Sequence, residues 1–330
     1  MLKYILKRLG LSVLILIGVS LIIYILIRSM PVNFIDDKIA QMNQGGATVP
    51  QETVDNMKKL YGLEDDTFLG YLKGYGRWFL SMLKLDFGNS FKYGEPVVKV
   101  IKDNMFISFA VAIIATFFEF MIAIPLGITA ATHQYSIRDY VVTVLVMIGI
   151  SLPTFFFGQL LKDLFAMKLG WFPPSGLIDA SAGYTGIAKL FDYLRHMFIP
   201  ILTVVILSIG GRMRMTRTNM LEVLNSDYIR TARAKGLKER VVIYKHAFRN
   251  TLIPLVTSLA GLLPSLFSGA MITEQVFDLP GIGLKAYNAM IVGDIPFIMG
   301  YNMFLALLSV IGVLLADLMY AVVDPRVKLQ

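Results

Sequence analysis

The side chains best suited to chemistry in this chain are the Arg and Lys residues crowded into DYIRTARAKGLKERVVIYKHAFRNTLIP, at residues 227–254. Guanidinium groups form paired hydrogen bonds with carboxylates, so this charge favours recognition of an acidic surface. Small residues stand among the basic ones, and small side chains let a second surface approach closely. The interleaved positions are Arg230, Thr231, Ala232, Arg233, Ala234 and Lys235.

The same stretch predicts a short helix, a glycine turn and a second helix. Asp227 can cap the first helix, and Gly236 supplies the left-handed residue that ends it. A basic loop lying on anionic lipid would also explain the charge, but it would not need two helices broken by a glycine. We therefore predict a docking surface for another protein. Its residues are Asp227, Tyr228, Arg230, Thr231, Ala232, Arg233, Ala234, Lys235 and Gly236.

The residue pattern gives no support to catalysis or metal binding. The chain has no Cys, which excludes disulfides and thiolate metal sites, and its three His residues have no metal-ligand spacing. It also lacks a phosphate-binding loop and a cluster of Ser or carboxylate residues that would suggest an active site. We expect a non-catalytic chain that binds no cofactor or metal and does not hydrolyse ATP by itself.

The composition is that of a membrane protein, because 56% of the residues are hydrophobic and only 16% are charged. A span needs about 20 apolar residues. We predict an all-α polytopic bundle of six transmembrane helices. The predicted spans are residues 9–27, 104–132, 140–161, 196–211, 250–273 and 295–323.

The distribution of basic residues predicts the orientation, because short loops rich in Lys and Arg stay in the cytoplasm. Such residues precede the first span and fill the loop at 212–250, so both termini should be cytoplasmic. The net charge of +8 is concentrated on that membrane face, where it can meet anionic lipid, and it does not indicate nucleic-acid binding. The first apolar segment is too long for a signal peptide, so we interpret it as a retained helix.

The long outer loop contains a predicted amphipathic helix, which would form a helical cap at the outer surface. Trp78, Phe79, Met82 and Leu83 recur there at helical spacing. A connector that merely packs on the bundle is the alternative. The predicted organisation is a first helix (1–30), an outer loop with its cap (31–103), a five-helix core with a cytoplasmic coupling loop at 212–250 (104–323) and a cytoplasmic tail (324–330).

Glu119, Gln159 and Asp317 are the polar residues inside the predicted spans that are most relevant to function. Ionisable groups in a membrane are costly and usually face the bundle interior or water. For Glu119 and Gln159 a translocation path is one interpretation, and the other is a contact between helices or a span boundary misplaced by one turn. For Asp317, near the inner end of its span, we favour this second interpretation.

The stretch at 227–254 resembles the cytoplasmic coupling loop of ABC importer permeases, in the version of the oligopeptide and dipeptide branch. Gly236 and Ala232 match the general pattern E-A-A-x-x-x-G, whereas Arg230 and Thr231 replace its Glu and first Ala. Further segments are similar in order and spacing to the first permease subunit of those importers. They are FGNSFKYGEPV (87–97), IPLGITAA (124–131), SLPTFFFGQLL (151–161), LGWFPPSG (169–176), TEQVFDLPGIGLKAYNAMIVGDIP (273–296) and DLMYAVVDPR (317–326).

The resemblance implies a type I importer permease in a bacterial plasma membrane. Its implied partners are a second homologous permease, two cytoplasmic ATPases that bind ATP and Mg²⁺, and an extracytoplasmic peptide-binding protein. Nickel chelates, glutathione or another small solute are alternative cargoes. A stand-alone secondary transporter is a further alternative, although the chain shows no convincing internal repeat. A receptor or scaffold could use the same loop without transport.

The predicted topology can be tested by labelling single cysteines in this cysteine-free chain. Cysteines at Ser175 and Asn288 should react with an impermeant reagent applied to intact cells, because both positions are predicted to lie outside. A cysteine at Ser226 should not react until the cells are opened. Labelling of Ser226 in intact cells would contradict the topology.

Overall fold

The computed structural model describes residues 2–28, 67–258 and 261–323, and most of these residues are helical. The predicted outer loop before residue 67 and the tail at 324–330 lie outside the described residues. The described helices, numbered in chain order, are α1 (Leu2–Arg28), α2 (Phe68–Leu83), α3 (Val97–Thr132), α4 (Ile137–Ser151), α5 (Thr154–Leu161, continued by a π-helical segment Lys162–Lys168), α6 (Gly186–Leu224), α7 (Asp227–Ala234), α8 (Glu239–Val241, continued by a π-helical segment Val242–Phe248), α9 (Arg249–Ser258), α10 (Leu262–Ser268), α11 (Met271–Phe277), α12 (Ile282–Ile291) and α13 (Ile295–Val323).

Within the described residues, four helices are long and apolar enough to cross a membrane. They correspond to the predicted first, second, fourth and sixth spans, and they show a multi-pass membrane protein. The fourth is much longer than predicted, since we expected residues 196–211 and α6 runs over 39 residues. Arg212, where we predicted the cytoplasmic loop to begin, lies well inside α6, so the first part of the predicted loop is helical and its cytoplasmic location stays a prediction. The four helices are Arg8–Leu26, Val97–Thr132, Gly186–Leu224 and Ile295–Asp317.

The third predicted span, residues 140–161, is not one continuous helix. Helix α4 ends at Ser151, and Leu152 and Pro153 have extended backbone before α5 begins. The axes of Ile137–Ser151 and Thr154–Lys168 differ by 102°. The cause is Pro153, because a proline lacks the amide hydrogen that a continuing helix needs and disfavours helical backbone in the residue before it. This bent pair is long and apolar enough to form a broken span or a re-entrant loop.

The fifth predicted span, residues 250–273, is also divided in the structure. Three short helices, α9, α10 and α11, cover most of it, and residues 259 and 260 lie outside the described part. Gly269 separates α10 from α11 and has φ +76°, a left-handed conformation that glycine adopts without strain. The total of six spans therefore stays a prediction.

The chain divides into two compact units, Met1–Asp103 with Ala286–Val310, and Asn104–Lys285 with Ile311–Gln330. In the second unit, close helix crossings depend on glycine. A Cβ atom on Gly127 of α3 would lie 2.7 Å from Thr216 Cβ and 2.8 Å from the Met213 carbonyl oxygen, both on α6. A Cβ atom on Gly210 of α6 would lie 2.3 Å from the side chain of Ile150 on α4.

In the first unit, helix α2 packs on α1 as the predicted amphipathic helix requires. Trp78 is buried together with Tyr24 of α1 and Met299 of α13. The hydroxyl oxygens of Ser20 and Tyr75 lie 2.8 Å apart, which adds a polar contact between α1 and α2. The helix in the outer loop is thus confirmed, and within this unit it packs on its neighbours through an aromatic face.

The segment 273–296 has a buried carboxylate near each end, and each carboxylate accepts hydrogen bonds from the backbone around it. In the second unit, Glu274 accepts hydrogen bonds from Ser108 Oγ at 2.6 Å and from the Leu284 amide at 2.8 Å. In the first unit, Asp294 accepts hydrogen bonds from the amides of Phe297 and Lys92, at 3.2 and 3.0 Å. Buried polar groups are stable only when paired in this way, so both carboxylates have a structural explanation.

The crossing at Gly127 predicts a selective loss of stability. Gly127→Ala should lower the thermal unfolding midpoint of the purified chain, since overpacking of a tight contact costs about 1–3 kcal/mol. Gly211→Ala is the matched control, because a Cβ atom there would meet nothing within 4 Å and alanine favours a helix over glycine. Equal midpoints for the two variants would contradict the described crossing.

Candidate functional site

Helix α7 carries most of the predicted docking surface, and its first turn differs from the prediction. Ser226 is the N-cap residue, with extended backbone at φ −76° and ψ 152°. Asp227 instead occupies the first turn, where its negative charge is favourable beside the N-terminal amides. The prediction that Asp227 caps the helix was therefore wrong by one position, because Ser and Asp are equally common N-caps and stand side by side here.

The end of α7 has the predicted glycine turn. Gly236 has φ +74°, and its amide donates a hydrogen bond to the Arg233 carbonyl at 2.9 Å. The Lys235 amide donates to the Thr231 carbonyl at 3.0 Å. A β-branched residue at position 236 would be strained by about 1–2 kcal/mol, although space is available around it. The helix, glycine turn and second helix are thus confirmed.

The inner face of α7 is buried against the rest of the second unit. Ile229 is fully buried and Ala232 is 6% exposed. They share one hydrophobic cluster with residues from the C-terminal ends of α3 and α6 and from the segment after the turn. The other buried members are Ile128, Ala131, Met220, Val242 and Ala247. The expectation that Ala232 faces a partner is therefore wrong, since its methyl group packs inside this chain.

The outer face of α7 is exposed and mixed in chemistry. Ala234 is the alanine of α7 that lies on this face. Tyr228 is 46% exposed, and its hydroxyl accepts a hydrogen bond from Asn250 Nδ2 at 3.1 Å. The exposed positions are Asp227, Tyr228, Arg230, Thr231, Arg233, Ala234 and Lys235.

An ion pair closes the glycine turn. Arg233 donates to both carboxylate oxygens of Glu239, at 2.8 Å from Nη2 and 3.3 Å from Nε. The hydrogen bonds from Arg233 lower the pKa of the Glu239 carboxyl. Arg233 is thus engaged within the chain, and Glu239 is a residue that the sequence analysis did not assign. The sequence did contain a signal for this ion pair, because Arg233 and Glu239 have opposite charges and stand six residues apart across the predicted turn.

A second ion pair joins α6 to α4 close to the loop that carries α7. Arg217 of α6 donates to both oxygens of Asp139 near the start of α4, at 2.9 and 2.8 Å. Asp139 also accepts a hydrogen bond from the Tyr135 amide at 3.1 Å. This pair was not predicted, because its two residues lie 78 positions apart in the sequence. It fixes the turn between α3 and α4 to the C-terminal half of α6.

The polar residues predicted inside the spans lie in different environments. Glu119 is buried, and its Oε1 accepts a hydrogen bond from Arg212 Nε at 3.1 Å. Gln159 lies on the exposed side of α5 and donates to Asp163 Oδ1 at 2.9 Å. Glu119 thus makes a contact between helices, whereas Gln159 bonds within its own helical segment. A role in a translocation path stays a prediction for both. Within the described residues, no group of three or more His, Asp or Glu side chains could hold a metal ion.

Comparison with known proteins agrees with this architecture. The chain is 34% identical to the oligopeptide transport system permease protein AppB of Bacillus subtilis (strain 168), over 99% of this chain and all of that protein. It is 33% identical to the dipeptide transport system permease protein DppB of Alkalihalophilus pseudofirmus, with 99% and 100% coverage. These relatives confirm the resemblance to peptide importer permeases.

A solved structure shows the same kind of fold. In a structure of inward-facing conformations of the MetNI methionine ABC transporter, one chain matches with a TM-score of 0.50 and 18% identity. The match covers 69% of this chain and 97% of that chain, and it confirms the predicted helical permease fold. Residues 123–329 match the family described as the binding-protein-dependent transport system inner membrane component. The chain therefore belongs to the family of inner membrane components of binding-protein-dependent transport systems.

Proposed function

We propose that this chain is a membrane-spanning permease subunit of an ATP-driven importer for oligopeptides or dipeptides. The observation that carries the proposal is α7, a short helix with one face buried on the inner ends of α3 and α6 and one face exposed. The names of the two relatives support a peptide cargo. Nickel chelates, glutathione and other small solutes are less favoured, because both of those relatives are named for peptides.

The proposed assembly has four kinds of component. A second homologous permease completes the translocation path with this chain, and two cytoplasmic ATPases bind ATP and Mg²⁺ and hydrolyse the nucleotide. An extracytoplasmic peptide-binding protein delivers the cargo. Both termini of this chain and α7 lie in the cytoplasm of a bacterial cell, consistent with the basic residues of the loop. This chain is not itself an enzyme.

The mechanism follows from how α7 is held. Its exposed face, with Ala234 and Tyr228, enters a cleft of the ATPase, and Arg230 and Lys235 meet acidic groups there. Because Ile229 and Ala232 pack against residues of α3 and α6, a displacement of α7 pushes on both helices. Closure of the two ATPases around ATP therefore moves the inner ends of α3 and α6 and switches the path between outward and inward access.

The proposed activity can be tested with the complete complex in proteoliposomes. Uptake of a labelled tripeptide should require ATP, the ATPases and the peptide-binding protein together, and this chain alone should hydrolyse no ATP. Excess unlabelled peptide should abolish uptake of the label, whereas nickel chelates and glutathione should not compete. Uptake without the ATPases, or competition by those solutes in place of peptide, would contradict the proposal.

The orientation of α7 predicts different outcomes for its two alanines. Ala234→Trp should leave membrane abundance unchanged but weaken ATPase co-purification roughly tenfold, which corresponds to about 1.4 kcal/mol, because the indole overfills the partner's cleft. Ala232→Trp should instead reduce the abundance of the chain itself, since that position is buried.

Ala182→Trp, at an exposed site in the segment between α5 and α6, is the control for adding an indole. It should change neither membrane abundance nor ATPase co-purification. Normal ATPase binding by Ala234→Trp at matched abundance would mean that this face of α7 is not the contact.

A further inference from the structure

Arg212 joins three helices inside the second unit. It lies on α6, about 18 Å from the end of that helix at Leu224, at 1.5 Å per residue. Its Nε donates to Glu119 of α3 at 3.1 Å, and its Nη1 donates to Ser258 Oγ of α9 at 2.8 Å. Its guanidinium carbon lies 4.5 Å from the centre of the Phe120 ring, within the range of a cation–π contact.

The three helices that meet at Arg212 also connect to α7 or to the loop that carries it. Helix α6 leads into the loop, and α9 follows it along the chain. Helix α3 contacts the loop directly, because Ile128 and Ala131 belong to the same hydrophobic cluster as Ile229. Arg212 therefore connects α3, α6 and α9 to one another at a second position, which lies farther from α7 along α6.

Stability alone does not explain this pair of charges. The Arg212 and Glu119 side chains are only 17% and 11% exposed, so both have lost most of their hydration. A buried ion pair of this kind is often no more stabilising than apolar residues of the same volume. A polar network with three defined partners does, however, hold three helices in one relative arrangement. A fixed arrangement of these helices is needed if the displacement of one helix is to move the other two.

We propose that Arg212 is a positioning residue that makes α3, α6 and α9 move together with α7. This inference rests on the proposed importer function and adds a residue to its coupling machinery. Without the contacts of Arg212, a displacement of α7 would be absorbed by sliding between these helices. Glu119 is then a partner in coupling, and it does not line the path.

The test is the number of peptides imported per ATP hydrolysed by the complete complex in proteoliposomes. The main variant is the double substitution Glu119→Leu with Arg212→Met, which removes both charges and leaves no unpaired buried ion. We expect ATP hydrolysis to continue while the number of peptides imported per ATP falls about fivefold or more. A factor of about five is the lower end of the coupling usually found between two sites. Arg214→Met is the matched control on the same helix, because Arg214 is exposed, and its ratio should equal that of the parent.

Ser258→Ala is a milder variant that removes one contact and no charge. It should lower the same ratio less than the double variant, and it provides the test if the double variant does not reach the membrane. The inference would be overturned if the double variant imported as many peptides per ATP as the parent. If the double variant does not reach the membrane, the same result for Ser258→Ala would overturn it. So would a Glu119→Gln variant that raises the KM for peptide at an unchanged ratio, since that result places Glu119 in the path. The parent complex is measured alongside, and its failure to import peptide would reject the importer function instead.

Discussion

The burial of one face of α7 is the interaction on which the rest of the loop depends. An isolated helix of eight residues is unstable in water, because too few hydrogen bonds offset the cost of starting it. Ile229 and Ala232 provide the missing stability by packing on the C-terminal ends of α3 and α6. The same packing means that the exposed face has a fixed orientation, and that any force on it reaches helices long enough to cross the membrane.

Around this contact, the second unit combines very close helix crossings with buried polar pairs. The glycines at 127 and 210 bring helices together until no Cβ atom would fit between them. The pairs of Arg217 with Asp139 and Arg212 with Glu119 then fix how those helices are aligned. A directional ion pair with a second hydrogen bond adds a constraint on alignment to this apolar packing. The two kinds of contact together specify one arrangement of α3, α4 and α6.

The sequence predicted the features that depend on local signals. Long apolar runs predicted the membrane helices, and Gly236 predicted the end of α7. The sequence did not show the break before Pro153, because the apolar run continues through it without a charge. It placed Arg212 in a loop, since an isolated arginine is costly in a membrane, but the partner that permits its burial lies 93 residues away. It also could not decide which way Ala232 points, because a methyl group suits a core and an interface equally well.

The shortness of α7 has a consequence for how strongly anything can hold it. A helix of eight residues is about 12 Å long, and only one of its sides is available. Such a patch offers far less than the roughly 800 Å² per partner that a stable interface buries. Adhesion through this helix alone would therefore be short-lived, with rapid release. A long-lived assembly must therefore gain most of its binding affinity from a larger interface elsewhere. The contact at α7 would then serve mainly to transmit a displacement in a defined direction.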